Sequence, residues 1–443
     1  MQVEQQLSEI KNVVEDALNL AKKLGATAAE ASISKNEGIS VGTRLKEVET
    51  VEFTNDGGLG ISVYVGQKKG TASTADLSPK ALKTAVEKAV EIAKYTSEDE
   101  CAGLADKELM ATNIPDLDLY HPQELDTQKA LEIALETESA GMETSPLITN
   151  SDGASYNANV EVRVYGNTHG LIAGFPSSRY SLSCVLIAQN DTDMQRDYAY
   201  TVSREPDQLK SAKEIGKEAA ELTISRLDAR KIKTTKAPVI FHREIASSLF
   251  GSFIKAISGG SLYRKSSFLL DTKGQQLFPN WLALAERPHI KKGLASSPFD
   301  DEGVGTFDMD IVKDGVLQDY LLTSYSARKL GMVSNGHAGG THNVIVSDTG
   351  QSEAELLKTM GTGLLITELM GQGVSIVNGD YSRGAAGFWV ENGIIQYPVH
   401  EITVAGNLRD MFNNIQAIGQ EREVRGSLQT GSILISEMQI AGA

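Results

Sequence analysis

The chain of 443 residues is poor in cysteine, in basic blocks and in long apolar runs. Its two cysteines, Cys101 and Cys184, are too few for a disulfide framework or a thiolate zinc site, and they favour a reducing, cytoplasmic compartment. No run of 18 apolar residues occurs, so no membrane span is expected. The first ten residues, MQVEQQLSEI, are polar and acidic, which is not typical of a targeting peptide.

The charge balance is acidic, with 42 Lys+Arg against 58 Asp+Glu and a net charge of −16 at pH 7. Because phosphate backbones are bound by clustered Lys and Arg, direct nucleic-acid binding is not expected. Apolar residues make up 41% and charged residues 23%, which is typical of a folded protein. The length favours two or three domains.

The common catalytic signatures are also absent from the sequence. It has no Gly-x-Ser-x-Gly elbow, no P-loop, no Cys-x-x-Cys and no His-Glu-x-x-His. Among the seven histidines only His337 and His342 are close together, in a glycine-rich loop that could wrap a metal, but no third ligand is evident. Three adjacent carboxylates, Asp300–Glu302, indicate a solvated turn rather than acid–base catalysis.

Glycine and charge divide the chain into two parts. Residues 1–235 hold 15 glycines and a net charge of −12, whereas residues 236–443 hold 26 glycines and a net charge of −4. A polar, basic stretch at 226–238 separates the two parts. We therefore predict one domain over 1–228 and a second over 229–443.

The first domain is predicted to be α+β. Apolar residues at three-to-four spacing predict helices, and Ser78-Pro79 is a typical helix start. Asn55–Gly58 has the residue types of a hairpin turn between two strands. The order suggests a degenerate duplication of a helix–hairpin–helix unit, although any α+β domain can show such alternation. The predicted helices include 7–24, 125–142 and 206–227, and the predicted strands include 29–35, 47–53, 60–65, 160–165 and 181–188.

The second domain is predicted to be β-rich, a barrel or a sandwich with inserted helices. Asp314-Gly315 and Asn392-Gly393 each lie between alternating apolar residues, which is a strong hairpin signal. Two helices are predicted, at 244–257 and at 352–370, the second with Ser352 as its N-cap.

Several long blocks of distinctive sequence lie in this second domain. They are SGGSLYRKSSFLLDTKGQQLFPNW (258–281), SSPFDDEGVGT (296–306), YSARKLGM (325–332), HAGGTHN (337–343) and GDYSRGAAGFWVENGIIQYPVHEITVAGNL (379–408). These blocks closely resemble the TldD/PmbA family of bacterial peptidase-related proteins, and the resemblance spans the whole chain. It implies an α+β N-terminal region, a β-rich C-terminal region and a cytoplasmic complex with a sister subunit of the TldD type.

In that family the TldD-type subunit carries a His-Glu-x-x-x-His zinc motif on a helix and degrades unfolded peptides. The corresponding helix of this chain begins at His242, with Arg243 in place of the glutamate and Ser247 in place of the second histidine. Arg243 stays protonated and cannot act as a base, and Glu244 faces another side of the helix. We therefore expect no metal ligand and no catalytic residue on this chain, with zinc on the TldD-type partner.

The resemblance predicts a non-catalytic subunit that completes a groove for unfolded peptides, and a homo-oligomer is conceivable for the chain alone. Family names also mention maturation of a peptide antibiotic and modulation of DNA gyrase. Two other hypotheses remain open: a self-sufficient metallopeptidase with the paired histidines as unusual ligands, and a regulatory binding protein linked to gyrase. The candidate groove residues are Arg264, Lys265, His337, His342, Tyr381 and Arg383.

Overall fold

The computed structural model describes residues 2–124 and 126–442; Met1, Leu125 and Ala443, which the predicted domains and helices include, lie outside them. The six N-terminal strands form one antiparallel sheet in the order β3-β2-β1-β4-β5-β6. The N-terminal elements are α1 (Gln2–Lys23), β1 (Ala28–Arg44), β2 (Glu47–Val65), β3 (Lys68–Thr74), α2 (Pro79–Tyr95), α3 (Thr127–Met142), β4 (Ile148–Asn167), β5 (Ile172–Gln189), β6 (Met194–Ser203) and α4 (Ala212–Ser225), with short 3-10 turns at Lys107–Leu109 and Pro206–Gln208.

The same order of elements occurs twice in this part. A helix, three strands and a second helix form each half, so the predicted repeat is present and each unit has a third strand beyond the hairpin. The first strands of the two halves, β1 and β4, pair at the centre of the sheet. Their antiparallel register runs from Glu30 opposite Asn167 to Thr43 opposite Ala154.

The turn predicted at Asn55–Gly58 is wrong, because β2 runs straight through these residues and stays paired to β1. The chain turns instead at Leu45 and Lys46, whose φ angles are 53° and 64°. A Cβ on Gly57 would lie 3.1 Å from Leu77 Cδ1 and 3.3 Å from Ser34 O, so space beside this position is limited. The residue types of a turn thus occur here within a continuous strand.

The register of the central strands separates apolar from polar side chains. Residues directly opposite each other in an antiparallel pair lie on the same face of the sheet. Ile33 opposite Val164 and Ile39 opposite Ala158 face the helices, where they join two apolar clusters under α1–α2 and α3–α4. The other face therefore presents the intervening residues of β4, among them Arg163, towards the C-terminal part.

The C-terminal part is a barrel, as the β-rich prediction allowed. Strands β7, β12, β13, β14 and β17 pair in sequence around it, and pairing of β14 with β17 closes it. A second sheet has the order β10-β9-β8-β11-β16. The C-terminal elements are β7 (Thr235–Phe241), α5 (Arg243–Ala256), α6 (Gly259–Tyr263), β8 (Leu284–Glu286), β9 (Met309–Lys313), β10 (Val316–Leu317), α7 (Ser324–Leu330), β11 (Val344–Val346), α8 (Glu353–Met360), β12 (Gly363–Met370), β13 (Asp380–Glu391), β14 (Ile394–Asn407), α9 (Leu408–Asn413), β15 (Ile415–Ile418), β16 (Leu428–Gln429) and β17 (Ile433–Ala441).

In this part the predicted hairpin turns are confirmed, whereas one predicted helix is shorter than expected. Asp314 and Asn392 adopt positive φ angles of 52° and 53° between paired strands, as predicted. The helix predicted over 352–370 has Ser352 as its N-cap but ends at Met360, because Gly361 at φ 71° stops it. The remainder is the buried strand β12, paired in parallel with β7.

No helix within residues 2–124 and 126–442 is long and apolar enough to cross a membrane. The boundary predicted near residue 229 falls between α4 and β7 and stays a prediction.

The turn between β1 and β2 is held by a buried carboxylate of α3. Glu138 is 0% exposed, and its two oxygens accept the backbone N–H groups of Leu45 (2.7 Å) and Lys46 (2.9 Å). We expect Glu138→Gln to lower the free energy of unfolding by about 1–3 kcal/mol, because the amide places a donor against a backbone N–H. Urea unfolding at neutral pH measures the change.

The matched control is Glu143→Gln. In the described part of the chain, the Glu143 carboxylate accepts a hydrogen bond from the exposed ammonium group of Lys46 and from no other side chain. An exposed ion pair contributes less than about 1 kcal/mol, so this variant should stay close to the wild type. Equal destabilisation by the two variants would contradict the role of Glu138.

Candidate functional site

The helix that we matched from the sequence to a zinc-motif helix is α5. Strand β7 ends at Phe241, and His242 is the N-cap residue from which the helix starts at Arg243. His242 Nε2 lies 3.3 Å from Glu353 Oε2, at the start of α8. The first residues of α5 thus lie among carboxylates from distant parts of the chain.

Two arginines neutralise these carboxylates. Arg243 lies 3.7 Å from Glu353 and 3.8 Å from Glu423, whereas Arg425 makes 2.9 Å contacts with both Glu244 and Glu423. The His242 hydrogen bond, together with the charges of His242 and Arg243, holds the pKa of Glu353 below its ordinary value against the effect of burial. The network lines a cavity of about 280 Å³.

This donor set does not fit a zinc ion. Position 243, where the resemblance would put the base of the motif, is an arginine, and the carboxylate of the neighbouring Glu244 is held by Arg425. Across residues 2–124 and 126–442, no three His, Cys, Asp or Glu side chains converge in a way that could hold a metal. The network is therefore a set of ion pairs between chain segments.

A second charged cluster surrounds Glu286, the last residue of β8. Its carboxylate is 2.7 Å from His337 Nε2 and 3.5 Å from His342 Nδ1, and it also accepts the backbone N–H of His342. Although burial opposes ionisation, the hydrogen bonds from His337 and His342 lower the pKa of Glu286 to about 2. The two histidines singled out from the sequence thus share one buried carboxylate.

Both ring nitrogens of His337 have hydrogen-bond partners. Its Nε2 faces Glu286, and its Nδ1 lies 2.8 Å from Asn335 Oδ1. The orientation of the Asn335 amide is fixed, because Oδ1 accepts the N–H of Leu322 and Nδ2 donates to Tyr320 O. Both ring nitrogens of His337 therefore lie within hydrogen-bond distance of a side-chain oxygen, one of Glu286 and one of Asn335.

Comparison with known proteins places the chain in a family. Sequence profiles of three PmbA/TldA metallopeptidase domains match it: domain 1 over residues 29–93, the central domain over 120–227 and the C-terminal domain over 234–442. The chain belongs to the PmbA/TldD metallopeptidase family. The resemblance seen in the long sequence blocks is thereby confirmed.

The similarity to individual family members extends over full length. The chain is 54% identical to metalloprotease PmbA of Escherichia coli, covering 100% of this chain and 99% of that protein. It is 55% identical to a metalloprotease PmbA homologue of Haemophilus influenzae, covering 99% and 97%. The crystal structure of a putative modulator of DNA gyrase from Bacteroides thetaiotaomicron has the same fold, with a TM-score of 0.93, 27% identity and coverage of 98% and 99%.

A larger cavity, of about 600 Å³, lies between the polar face of the N-terminal sheet and the loops of the C-terminal part. Its rim carries the ion pair between Arg163 and Asp301, 2.6 Å apart. Phe299 packs against Phe175 with ring centroids 5.8 Å apart, and His342 also lines the cavity. In this family member the Glu286 cluster therefore borders a polar cavity through His342.

The carboxylates 300–302 are not one solvated turn, as the sequence suggested. Asp300 is buried and accepts the backbone N–H groups of Glu302, Val304 and Ala338. Burial outweighs these bonds and raises the pKa of Asp300 to about 6. Only its neighbours Asp301 and Glu302 are accessible, the first of them paired with the N-terminal sheet.

The other predicted groove residues lie elsewhere. Arg264 and Lys265 are exposed after α6, with Arg264 stacked on Tyr263. Tyr381 of β13 is 3% exposed in the barrel core, its hydroxyl has no hydrogen-bond partner in the described ranges, and burial raises its pKa to about 12. Arg383 follows two residues later and is half-buried. No hydrogen bond or ion pair within 2–124 and 126–442 joins these residues to the two histidines, and their groove role stays a prediction.

Sequence reasoning missed Glu286, Glu353, Glu423 and Arg425. Each meets its partner through tertiary contacts, as with Glu286, which pairs with His337 across 51 residues. The charge-dense segment 421–425 was the one local signal that could have drawn attention to this region.

We expect Arg425→Gln to lower the free energy of unfolding by about 2 kcal/mol. The variant removes the 2.9 Å ion pairs with Glu244 and Glu423. It also removes the guanidinium group that lies 4.0 Å from the ring centroid of Tyr200. The Arg425 side chain is 12% exposed. Denaturant unfolding followed by circular dichroism gives the value.

Arg422→Gln serves as the control from the same segment. Its side chain is 37% exposed and makes a single ion pair with Asp348, so the loss should stay below about 1 kcal/mol. A loss as large as that of the Arg425 variant would show that the network at α5 has no special weight.

Glu286→Gln should change how stability depends on pH. The folded pKa falls from an ordinary 4.5 to about 2, so the carboxylate stabilises the fold above pH 4.5 and this contribution disappears as the pH falls towards 2. The contribution is about 3 kcal/mol. Urea unfolding at pH 6 and pH 3 should show a smaller acid loss in the variant than in the wild type.

The control for this measurement is Glu98→Gln, because Glu98 is an exposed glutamate. Its acid profile should follow that of the wild type. Parallel profiles for the wild type and Glu286→Gln would contradict the ion pair.

Proposed function

We propose that this chain is the non-catalytic, PmbA-type (TldE-type) subunit of a cytoplasmic zinc metallopeptidase complex. A TldD-type partner supplies the zinc and the His-Glu-x-x-x-His motif. The complex degrades unfolded peptides and matures peptide antibiotics, and this chain completes the groove that admits them. The observation that carries the proposal is the pairing of Arg243 and Arg425 with the carboxylates at the start of α5.

The chemistry of those pairs supports a role without catalysis. Peptide hydrolysis at a zinc ion needs about three protein ligands that hold the metal and a base that deprotonates the bound water. Arg243 stays protonated at every physiological pH, and two guanidinium groups beside the helix start repel a divalent cation. The carboxylates there are already engaged, so they stabilise the fold and are not free to act as bases.

The contacts of His337 and His342 argue against a self-sufficient metallopeptidase that uses them as metal ligands. Both ring nitrogens of His337 are already engaged by side-chain oxygens, so a metal would have to displace Glu286 or Asn335. His342 directs Nδ1 towards the same carboxylate of Glu286.

The test compares the purified chain with its complex with a TldD-type subunit. Zinc content by mass spectrometry and hydrolysis of an unfolded peptide are measured for each. We expect stoichiometric zinc and turnover in the complex and neither in this chain alone. Turnover with bound zinc in the isolated chain would overturn the proposal.

Two variants sharpen this experiment. Replacing the glutamate of the partner's motif by glutamine should abolish turnover while the complex stays intact. In this chain His342→Gln should leave the zinc content of the complex unchanged. A stable complex that hydrolyses no peptide would instead favour a regulatory binding protein.

A further inference from the structure

The cavity of about 600 Å³ has a cationic wall whose charge the described residues do not fully balance. Arg163, Arg179 and Arg204 all line it. Arg163 is matched by Asp301 at 2.6 Å. The remaining two arginines have no ion pair among residues 2–124 and 126–442, and Glu161 is the other acidic residue of the lining.

Arg204 is anchored by neutral groups. Its Nη1 donates to Ser178 O (3.0 Å) and its Nη2 to Leu294 O (2.8 Å), while its buried Nε has no partner in the described part of the chain. Burial and the nearby charge of Arg179 hold the pKa of Arg204 below its ordinary value, and Glu161 offsets them in part. The carbonyl groups fix the guanidinium in place without neutralising it.

The position of Arg179 follows from the strand register. Arg179 lies opposite Asn159, Ser177 opposite Glu161 and Phe175 opposite Arg163, so these side chains share the cavity face of the sheet. Arg179 itself is exposed, and its side chain makes no hydrogen bond or ion pair within the described ranges. An oxyanion beside Arg179 and Arg204 would supply the missing negative charge with charge-assisted hydrogen bonds.

The rest of the lining restricts what carries that oxyanion. Phe175 and Phe299 give the cavity an aromatic surface, and Ser177, Ser297 and Thr341 add polar groups. The volume of about 600 Å³ suits a ligand of a few amino-acid residues. The net charge of −16 does not prevent this, because salt screens charges beyond about 8 Å.

We infer that this cavity binds the C-terminal carboxylate and last apolar side chain of a short peptide, with Arg179 and Arg204 as the anion ligands. The inference rests on the proposed function, since peptides are then the molecules that the complex handles. The cavity would hold a peptide end on this subunit, away from the zinc of the partner.

Binding of acetyl-Ala-Ala-Phe to the isolated full chain by calorimetry tests the inference. We expect the free acid to bind about tenfold or more tightly than its C-terminal amide, and affinity to fall as salt is raised. Arg179→Gln should weaken the free acid about tenfold, whereas Arg179→Lys keeps the charge and most of the affinity. Arg44→Gln, an exposed arginine on the β1–β2 turn, removes the same charge outside the cavity and should change nothing.

Equal binding of acid and amide, or an unchanged affinity in Arg179→Gln, would overturn the inference. Inorganic phosphate is titrated separately, because it offers oxyanion chemistry without a peptide. Binding of phosphate with none of the peptide would also overturn the peptide assignment. The measurement needs neither zinc nor partner, so its failure is distinct from a failure of peptide hydrolysis by the complex.

Discussion

The pairing of β1 with β4 is the constraint on which the rest of the structure depends. A slip of one residue between them would put the apolar side chains of one half of the sheet on the face opposite to those of the other half, because side chains alternate along the backbone. In the observed register Ile33 and Val164 face the helices, and Arg163 faces the C-terminal part. The docking of the C-terminal loops through Asp301, and the cavity beside them, follow from that register.

Buried charge then locks the elements together. An ionised group taken out of water needs partners, or its burial costs several kcal/mol. Glu138 draws the β1–β2 turn onto α3, Glu286 joins β8 to the loop of the two histidines, and Arg425 links α5 to β6 through Tyr200. Each of these contacts joins distant segments, so each one fixes tertiary structure and not merely a local turn.

The features that could be predicted from the sequence are those set by neighbouring residues, such as helix caps and hairpin turns. Ser78 and Ser352 cap helices as expected, and the Asx-Gly dipeptides at Asp314 and Asn392 form turns. The same logic failed at Asn55–Gly58, because β2 stays paired with β1 through these residues and the chain reverses at Leu45 and Lys46 instead.

In the candidate site, too, residues close in sequence could be predicted, and residues joined by tertiary contacts could not. His337 and His342 stand out because they are close in sequence. Glu286, which binds both, comes within reach only because β8 pairs with β11, where Glu286 lies opposite Val344. The substitution at Arg243 was visible in the sequence, but its partners Glu353 and Glu423 were not, since they come from α8 and the segment before β16.

The geometry at α5 also shows what a glutamate in place of Arg243 would meet. It would be a fourth carboxylate among Glu244, Glu353 and Glu423. Arg425 and His242 would remain beside them, and Arg425 already contacts two of the carboxylates. Like charges at this range raise the pKa of carboxylates and so disfavour their ionised form. The arginines and the acidic residues around α5 therefore form one interdependent set, in which each member is held by the charge of the others.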